Sequence, residues 1–159
     1  NFAHVRYRPL NTHEYILIFY DKVGTYNPQM THGKAYRQLR EAEGCKGIAD
    51  SMKRENLTIS DGWRYPKTIL DIPDMAQRQK QHPTQKPVEL FTYLISTYTN
   101  EGDVVCDPCC GSGTTTIACL KTNRTYVCFE MDKHFVEIAH QRIRQWRSEH
   151  STGGLDQFL

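Results

Sequence analysis

The chain has 159 residues, with 20 lysines and arginines against 18 aspartates and glutamates and a formal net charge of +2. This length is enough for one domain with a real hydrophobic core. No apolar run approaches the ~20 residues of a membrane-spanning helix and no signal peptide is visible, so we expect a cytoplasmic protein without a membrane anchor. The first residue is Asn1 rather than Met, and we expect the chain to be a fragment of a longer protein.

The charge is unevenly distributed. Residues 31–86 carry eleven basic and seven acidic side chains, whereas residues 87–159 carry six basic and nine acidic ones. So small a basic excess does not establish a nucleic-acid partner, but it assigns the expected contact surface to the middle of the chain.

The first half of the chain predicts one buried strand and then a region of weak periodicity. Residues 14–20 (EYILIFY) are rich in β-branched and aromatic residues and almost continuously apolar, which predicts a central strand buried on both faces. Residues 31–81 show no strong period, with a short helix predicted over 35–43 and a short strand within 63–72. We interpret 31–81 either as a surface loop or as a loop-rich insertion that contacts nucleic acid.

In the nucleic-acid interpretation, basic side chains contact phosphates and an aromatic ring stacks on a base. The candidates are Lys53, Arg54, Arg64 and Lys67 for phosphates and Trp63 or Tyr65 for stacking.

The second half is more regular and indicates an α/β fold. After a rigid HPTQKP link at 82–87, the apolar spacing predicts a helix over 88–98, a strand from 104, a helix over 114–121, a strand over 125–129 and a helix over 133–147. Residues 148–159 are expected to be a frayed tail.

Residues 104–115 (VVCDPCCGSGTT) run from a strand through a turn into a helix. The first amides of such a helix have no intrahelical partner and its dipole is positive there, which favours an anionic ligand. Gly111 and Gly113 let the backbone approach that ligand closely. Glu130 follows the next strand about 20 residues past the first glycine, the usual offset for an acid that holds two ribose hydroxyls.

The turn departs from a dinucleotide fingerprint, because Thr116 replaces its third glycine and Asp107 would repel a pyrophosphate. A zwitterion suits it better, with an ammonium on Asp107 and a carboxylate on the amides of 112–114. S-adenosylmethionine combines both groups with a ribose, and we predict it as the cofactor. A nicotinamide-dependent oxidoreductase is a further alternative.

The six cysteines include a Cys106-x-x-Cys109 pair with zinc-like spacing. No second pair with ligand spacing follows, so we predict no metal site. Cys106, Cys119 and Cys128 are interpreted as small apolar core residues of a reduced protein.

Two motifs in this order resemble a known family. The HPTQKP link followed by DPCCGSGT at 107–114 is similar to the C-terminal half of circularly permuted, β-type DNA amino-methyltransferases, which methylate adenine N6 or cytosine N4. The resemblance implies a Rossmann-like, S-adenosylmethionine-dependent methyltransferase fold, incomplete here. It divides the chain into the end of the catalytic half (1–30), a loop-rich target-recognition insertion (31–81) and a cofactor-binding part (82–159).

The resemblance also implies roles for single residues, with the glycine turn on the methionine end of the cofactor and Glu130 on its ribose. The implied cofactor-binding set is Thr84, Gln85, Lys86, Asp107, Pro108, Gly111, Ser112, Gly113, Thr114 and Glu130. Some of these and their neighbours have purely structural alternatives: Thr114 and Thr115 as helix caps, Lys86 as a solvated side chain and Asp132 as the N-cap of the last helix.

The family's catalytic motif, Asp/Asn/Ser-Pro-Pro-aromatic, is absent from the chain, and 27–30 (NPQM) imitates it only weakly. We therefore expect no catalytic residue here and no methylation by the chain alone. In the parent enzyme, of bacterial or phage restriction-modification type, adenine is favoured over cytosine. Expected partners are double-stranded DNA in the nucleoid and either a second copy or a missing N-terminal half. A non-catalytic DNA- or cofactor-binding remnant is the alternative.

Overall fold

A computed structural model of the chain describes residues 13–41, 55–76, 78 and 80–150. Of the predicted DNA contacts, Lys53 and Arg54 lie outside these residues. The elements, in chain order, are β1 (Thr31–His32), β2 (Tyr36–Glu41), β3 (Glu55–Ser60), β4 (Trp63–Arg64), α1 (Val88–Tyr98), β5 (Val104–Asp107), α2 (Thr114–Lys121), β6 (Thr125–Cys128) and α3 (Lys133–His150). No helix among them is long and apolar enough to cross a membrane.

The C-terminal part is a β–α–β unit flanked by two further helices. β5 and β6 pair in parallel, from Val104 opposite Thr125 to Asp107 opposite Cys128, with α2 as the crossover between them. This is part of a Rossmann-like sheet, which confirms the predicted α/β class. The five predicted elements of this half are present; α3 runs on to His150, and β6 ends one residue before Phe129.

The core lies where α1 and α2 meet one face of the β5–β6 pair. Its buried residues are Ile95, Ala118 and Cys119, with Val88, Phe91, Val105 and Tyr126 packed against them. The other face of the pair is uncovered by the residues that the structure describes, since Val104 is 63% and Val127 44% exposed. Cys106 lies on this exposed face, so the prediction of a buried Cys106 is wrong, whereas Cys119 is buried and Cys128 half-buried.

The predicted central strand over 14–20 is wrong. These residues are extended but unpaired, and their apolar side chains are exposed, from 43% for Ile16 to 86% for Phe19. A buried strand needs a neighbour that completes its hydrogen-bond ladder and another layer that covers its side chains. Neither is found for this segment within the described ranges.

The predicted helix over 35–43 is also wrong. Residues 36–41 form β2, which pairs antiparallel with β3 from Tyr36 opposite Ser60 to Glu41 opposite Glu55. β1 pairs with β4 in the same sense, so 31–41 and 55–64 make one two-stranded ribbon. Only Trp63 and Arg64 of the strand expected within 63–72 are paired. Pairing with a distant segment determines this conformation, and local helix propensity carries no information about such pairing.

Asn27 fastens the segment before the ribbon to the end of α1. Its backbone N–H donates to the carbonyl of Thr97 at 2.7 Å, and its side-chain amide donates to the carbonyl of Thr99 at 2.9 Å. These carbonyls at a helix C-terminus have no intrahelical partner, so Asn27 satisfies them as a cap does. The side chain that weakly imitated a catalytic motif therefore has a structural role here.

Candidate cofactor-binding site

The glycine turn and Glu130 are brought together by the parallel strand pair. Beyond the strands the pairing continues, with the Phe129 N–H donating to the Asp107 carbonyl at 2.9 Å and the Cys110 N–H donating to the Phe129 carbonyl at 3.0 Å. The Glu130 carboxylate consequently reaches the turn, where its Oε2 accepts the Gly111 N–H at 2.9 Å.

Glu130 is held ionised. Its Oε1 accepts the Asp132 N–H at 2.9 Å. The backbone hydrogen bonds from Asp132 and then Gly111 lower the pKa of the Glu130 carboxyl below its ordinary value. Each carboxylate oxygen has a second lone pair, so both can still accept a ligand hydroxyl.

Asp107 is the second oriented carboxylate of the site. Its Oδ1 accepts the Cys109 N–H at 3.0 Å, and its Oδ2 accepts the Thr115 hydroxyl. Thr115 is therefore not a helix cap but a support for Asp107. Thr114 is not a cap either, because the N-cap position of α2 is Gly113 and no side chain bonds there.

Asp132 is the N-cap of α3, which confirms the structural role predicted for it from the sequence. Its Oδ1 accepts the His134 N–H at 2.9 Å. Since Asp132 also donates its own N–H to Glu130, the start of α3 is tied to the site.

The HPTQKP link forms one wall of the site through Gln85, which is 6% exposed. Its Oε1 accepts the Gln81 N–H at 2.8 Å and the Ser112 hydroxyl at 3.0 Å. Thr84 is exposed and its hydroxyl lies 3.1 Å from Nδ1 of His82. Lys86 is ion-paired with Glu14 at 2.5 Å rather than free in solvent.

These elements enclose a small cleft of about 120 Å³. Of the predicted cofactor residues, those that line it are Thr84, Gln85, Lys86, Asp107, Gly111, Ser112 and Thr114. Pro108, Gly113 and Glu130 do not line it; Gly113 shapes the turn and Glu130 bonds to its edge. Small-molecule sites usually measure about 300–1,000 Å³. The described residues therefore build only part of a site for a nucleoside-sized ligand.

The cysteines of the turn and Cys119 of α2 form no disulfide bond. Burial raises the pKa of the Cys110 thiol to about 12 and that of Cys119 to about 11, so both stay protonated at neutral pH. In the described part of the chain there is no group of three or more His, Cys, Asp or Glu residues placed to hold a metal ion.

One stripe of α3 supports the site. The sequence interpretation assigned the apolar residues of this helix to the core and missed both their contact with the site and Arg142. Phe135 packs on the His82 ring at 4.1 Å between centroids, Ala139 lies against Gly113, and Arg142 donates to the Ser112 carbonyl at 2.7 Å. The spacing i, i+4, i+7 puts all three on one helix face. That periodicity was the available signal, but a charged residue at its end is usually assigned to solvent.

Of the described DNA-contact candidates, Trp63 and Arg64 lie at one end of the ribbon and Lys67 follows it, and none of the three lines the cleft. The Trp63 ring meets His32 edge-on at 5.0 Å and is 54% exposed. The Arg64 guanidinium lies over Gly33, and Lys67 is exposed. The structure thus brings Trp63 and Arg64 to one exposed end of the ribbon.

Gly113 is expected to tolerate no side chain. Its φ of +79° is left-handed, and a Cβ there would lie 2.8 Å from the Ala139 Cβ. Gly113→Ala should therefore cost about 1–3 kcal/mol of unfolding free energy, measured as a lower urea midpoint. Gly24→Ala is the matched control, because a Cβ at Gly24 meets nothing within 4 Å. Equal midpoints for the two variants would contradict this account of the turn.

The chain is similar in sequence to known DNA methyltransferases. The type II methyltransferase M.MthZI of Methanothermobacter thermautotrophicus is 31% identical over 138 residues, 84% of this chain and 35% of that protein. The orphan methyltransferase M.BamHII of Bacillus amyloliquefaciens is 34% identical over 119 residues, 72% of this chain and 43% of that protein. The crystal structure of an M1.HpyAVI–SAM complex shares 24% identity, covering 71% of this chain and 62% of that one with a TM-score of 0.40.

The chain thus spans less than half the length of these two curated relatives. The N6/N4 family model, described as DNA methylase, matches residues 2–141. Because that match covers most of the sequence, the chain belongs to the N6/N4 family of DNA methylases.

Proposed function

We propose that the chain is the cofactor-binding and target-recognition part of a site-specific DNA methyltransferase. The whole enzyme would transfer a methyl group from S-adenosylmethionine to an exocyclic amino group of a base. The observation that carries the proposal is the placement of two oriented carboxylates, Asp107 and Glu130, on either side of one glycine turn.

The chemistry of these groups fits S-adenosylmethionine, which supplies the methyl group when bound. The Asp107 carboxylate would pair with the ammonium of the methionine end, and the amides at the start of α2 would receive its carboxylate. The free lone pairs of Glu130 would accept the two ribose hydroxyls. A pyrophosphate in place of the amino-acid end would be repelled by the Asp107 carboxylate, which argues against a nicotinamide dinucleotide.

Variants at the two carboxylates test the binding of the two ends of the cofactor independently. Asp107→Asn is expected to weaken S-adenosylmethionine binding about tenfold or more, but to leave binding of 5′-methylthioadenosine unchanged, because that compound has the ribose without the amino-acid end. Glu130→Gln should weaken both ligands. Isothermal titration calorimetry measures each affinity, with Glu137→Gln on the exposed side of α3 as control. Tighter binding of NAD than of S-adenosylmethionine would overturn the proposal.

DNA contact is proposed for the ribbon end and the residues that follow it. A two-stranded ribbon fits the major groove of B-DNA. Arg64 and Lys67 would contact phosphates, while Trp63 offers an exposed ring for stacking on a base. Lys53 and Arg54 belong to the same proposal from sequence alone. Adenine as the favoured target over cytosine, and residence at the nucleoid, are likewise proposed, and both rest on the family resemblance.

Arg64→Gln and Lys67→Gln are each expected to weaken binding to duplex DNA to a similar degree for all sequences. Each should lower the slope of log affinity against log salt by about 1, because one phosphate contact is lost. Fluorescence anisotropy with a labelled duplex at several salt concentrations gives both quantities. Lys121→Gln, an exposed lysine at the end of α2, is the charge-matched control. An unchanged slope in both variants would exclude this surface.

A non-catalytic remnant is the second candidate, favoured by the position of Asn27. The amide of Asn27, in the one segment that imitates the catalytic motif, is bonded to the carbonyls of α1. The uncovered face of β5–β6 and the exposed run at 15–20 would accommodate a second copy or further chain of the same protein.

We expect no transfer of labelled methyl from S-adenosylmethionine to DNA by the 159-residue chain alone, because the catalytic motif is absent. Scintillation counting of recovered DNA measures it. The parent protein, with any residues that precede Asn1, is the positive arm. Transfer by the parent separates an enzyme part from a remnant, and transfer by the chain alone would contradict the expectation.

A further inference from the structure

Arg142 is a partly buried cation of α3 that contacts the glycine turn. Its Nη1 lies 2.7 Å from the Ser112 carbonyl, 3.2 Å from the Ser112 hydroxyl and 3.5 Å from the Thr114 hydroxyl. It does not line the cleft. Burial lowers the pKa of its guanidinium, but an arginine side chain remains charged at any physiological pH.

No carboxylate within the described ranges pairs with this cation. The groups that it contacts, the Ser112 carbonyl and the hydroxyls of Ser112 and Thr114, are all uncharged. A partly buried charge without a counter-ion favours any anion that comes near it. The groups that it contacts lie in the 112–114 segment at the start of α2, where backbone amides are proposed above to receive a carboxylate. The Gly113 N–H is not among them, because it donates to the Cys110 carbonyl at 2.9 Å.

Arg142 also fixes the direction of the Ser112 hydroxyl proton. A guanidinium can only donate hydrogen bonds, so the Ser112 oxygen accepts from Arg142 and its single proton points to Gln85 Oε1 at 3.0 Å. Gln85 Oε1 is identified as the oxygen because it also accepts the Gln81 N–H. The Ser112 hydroxyl therefore has no proton left for a ligand, and Ser112 can serve a carboxylate only through its backbone N–H.

We infer that Arg142 is a positioning residue for the carboxylate end of the cofactor. It holds the 112–114 backbone through the Ser112 carbonyl and hydroxyl, and it supplies the positive charge behind that backbone. The ribose is proposed to lie at Glu130, to which Arg142 makes no hydrogen bond. The inference rests on the proposed function, because it requires S-adenosylmethionine in the turn.

The test compares S-adenosylmethionine with 5′-methylthioadenosine, which lacks the amino-acid chain and whose sulfur is an uncharged thioether instead of a sulfonium. Arg142→Met is expected to weaken S-adenosylmethionine binding about tenfold to a hundredfold, since hydrogen bonds from a charged donor are lost together with the charge. Binding of 5′-methylthioadenosine should stay within about twofold. Arg144→Met, which removes the same charge from an exposed position of α3, should change neither affinity.

Calorimetry gives each affinity and thermal unfolding shows that each variant is folded. If Arg142→Met does not fold, Arg142→Gln carries the same comparison, because its shorter, neutral side chain keeps a polar amide in place of the cation. Equal losses for the two ligands would mean a merely structural role and would overturn the inference, as would no loss for either. Failure of the unmodified protein to bind S-adenosylmethionine would instead overturn the proposed function.

Discussion

The hydrogen bond between the Gly111 N–H and the Glu130 carboxylate, 2.9 Å long, joins the two halves of the site. It exists because β5 and β6 are neighbouring parallel strands whose carboxyl ends meet at one edge of the sheet. One strand delivers Asp107 and the turn, and the other delivers Glu130. A slip of one residue in the register would turn Glu130 to the opposite face of the sheet and separate it from the turn.

α3 packs against the glycine turn, and this packing depends on two small residues, Gly113 and Ala139. The missing side chain of Gly113 lets Ala139 approach it, and that approach brings Arg142 within hydrogen-bond distance of Ser112. The packing of Ala139 on Gly113 and the hydrogen bond from Arg142 to Ser112 therefore stabilise the same arrangement of α3 and the turn. Asp132, the N-cap of the same helix, donates its N–H to Glu130, so α3 is bonded to the site through Asp132 as well as through Arg142.

Local pattern was sufficient for the C-terminal part of the fold. Apolar spacing predicts α1, α2 and α3, and the glycines and carboxylates of the turn predict the location of the cleft. Predictions from local pattern were wrong wherever a segment distant in the sequence decides the conformation. Residues 36–41 are a strand because 55–60 lie beside them, and residues 15–20 are unpaired although their composition is that of a buried strand. Arg142 was missed because a charged residue is assigned to solvent unless its partners are known.

The exposed run at 15–20 bears on how the chain behaves when it is produced alone. Its six residues, YILIFY, combine high β-propensity with no charge, no proline and no glycine. Six-residue segments of this composition stack into intermolecular sheets when nothing in the fold protects them. Asp21 and Lys22, which follow directly, are the nearest charges on that side to oppose such stacking. We therefore expect concentrated solutions of the isolated chain to aggregate from this segment, and a partner that covered it would keep the chain soluble as well as complete its structure.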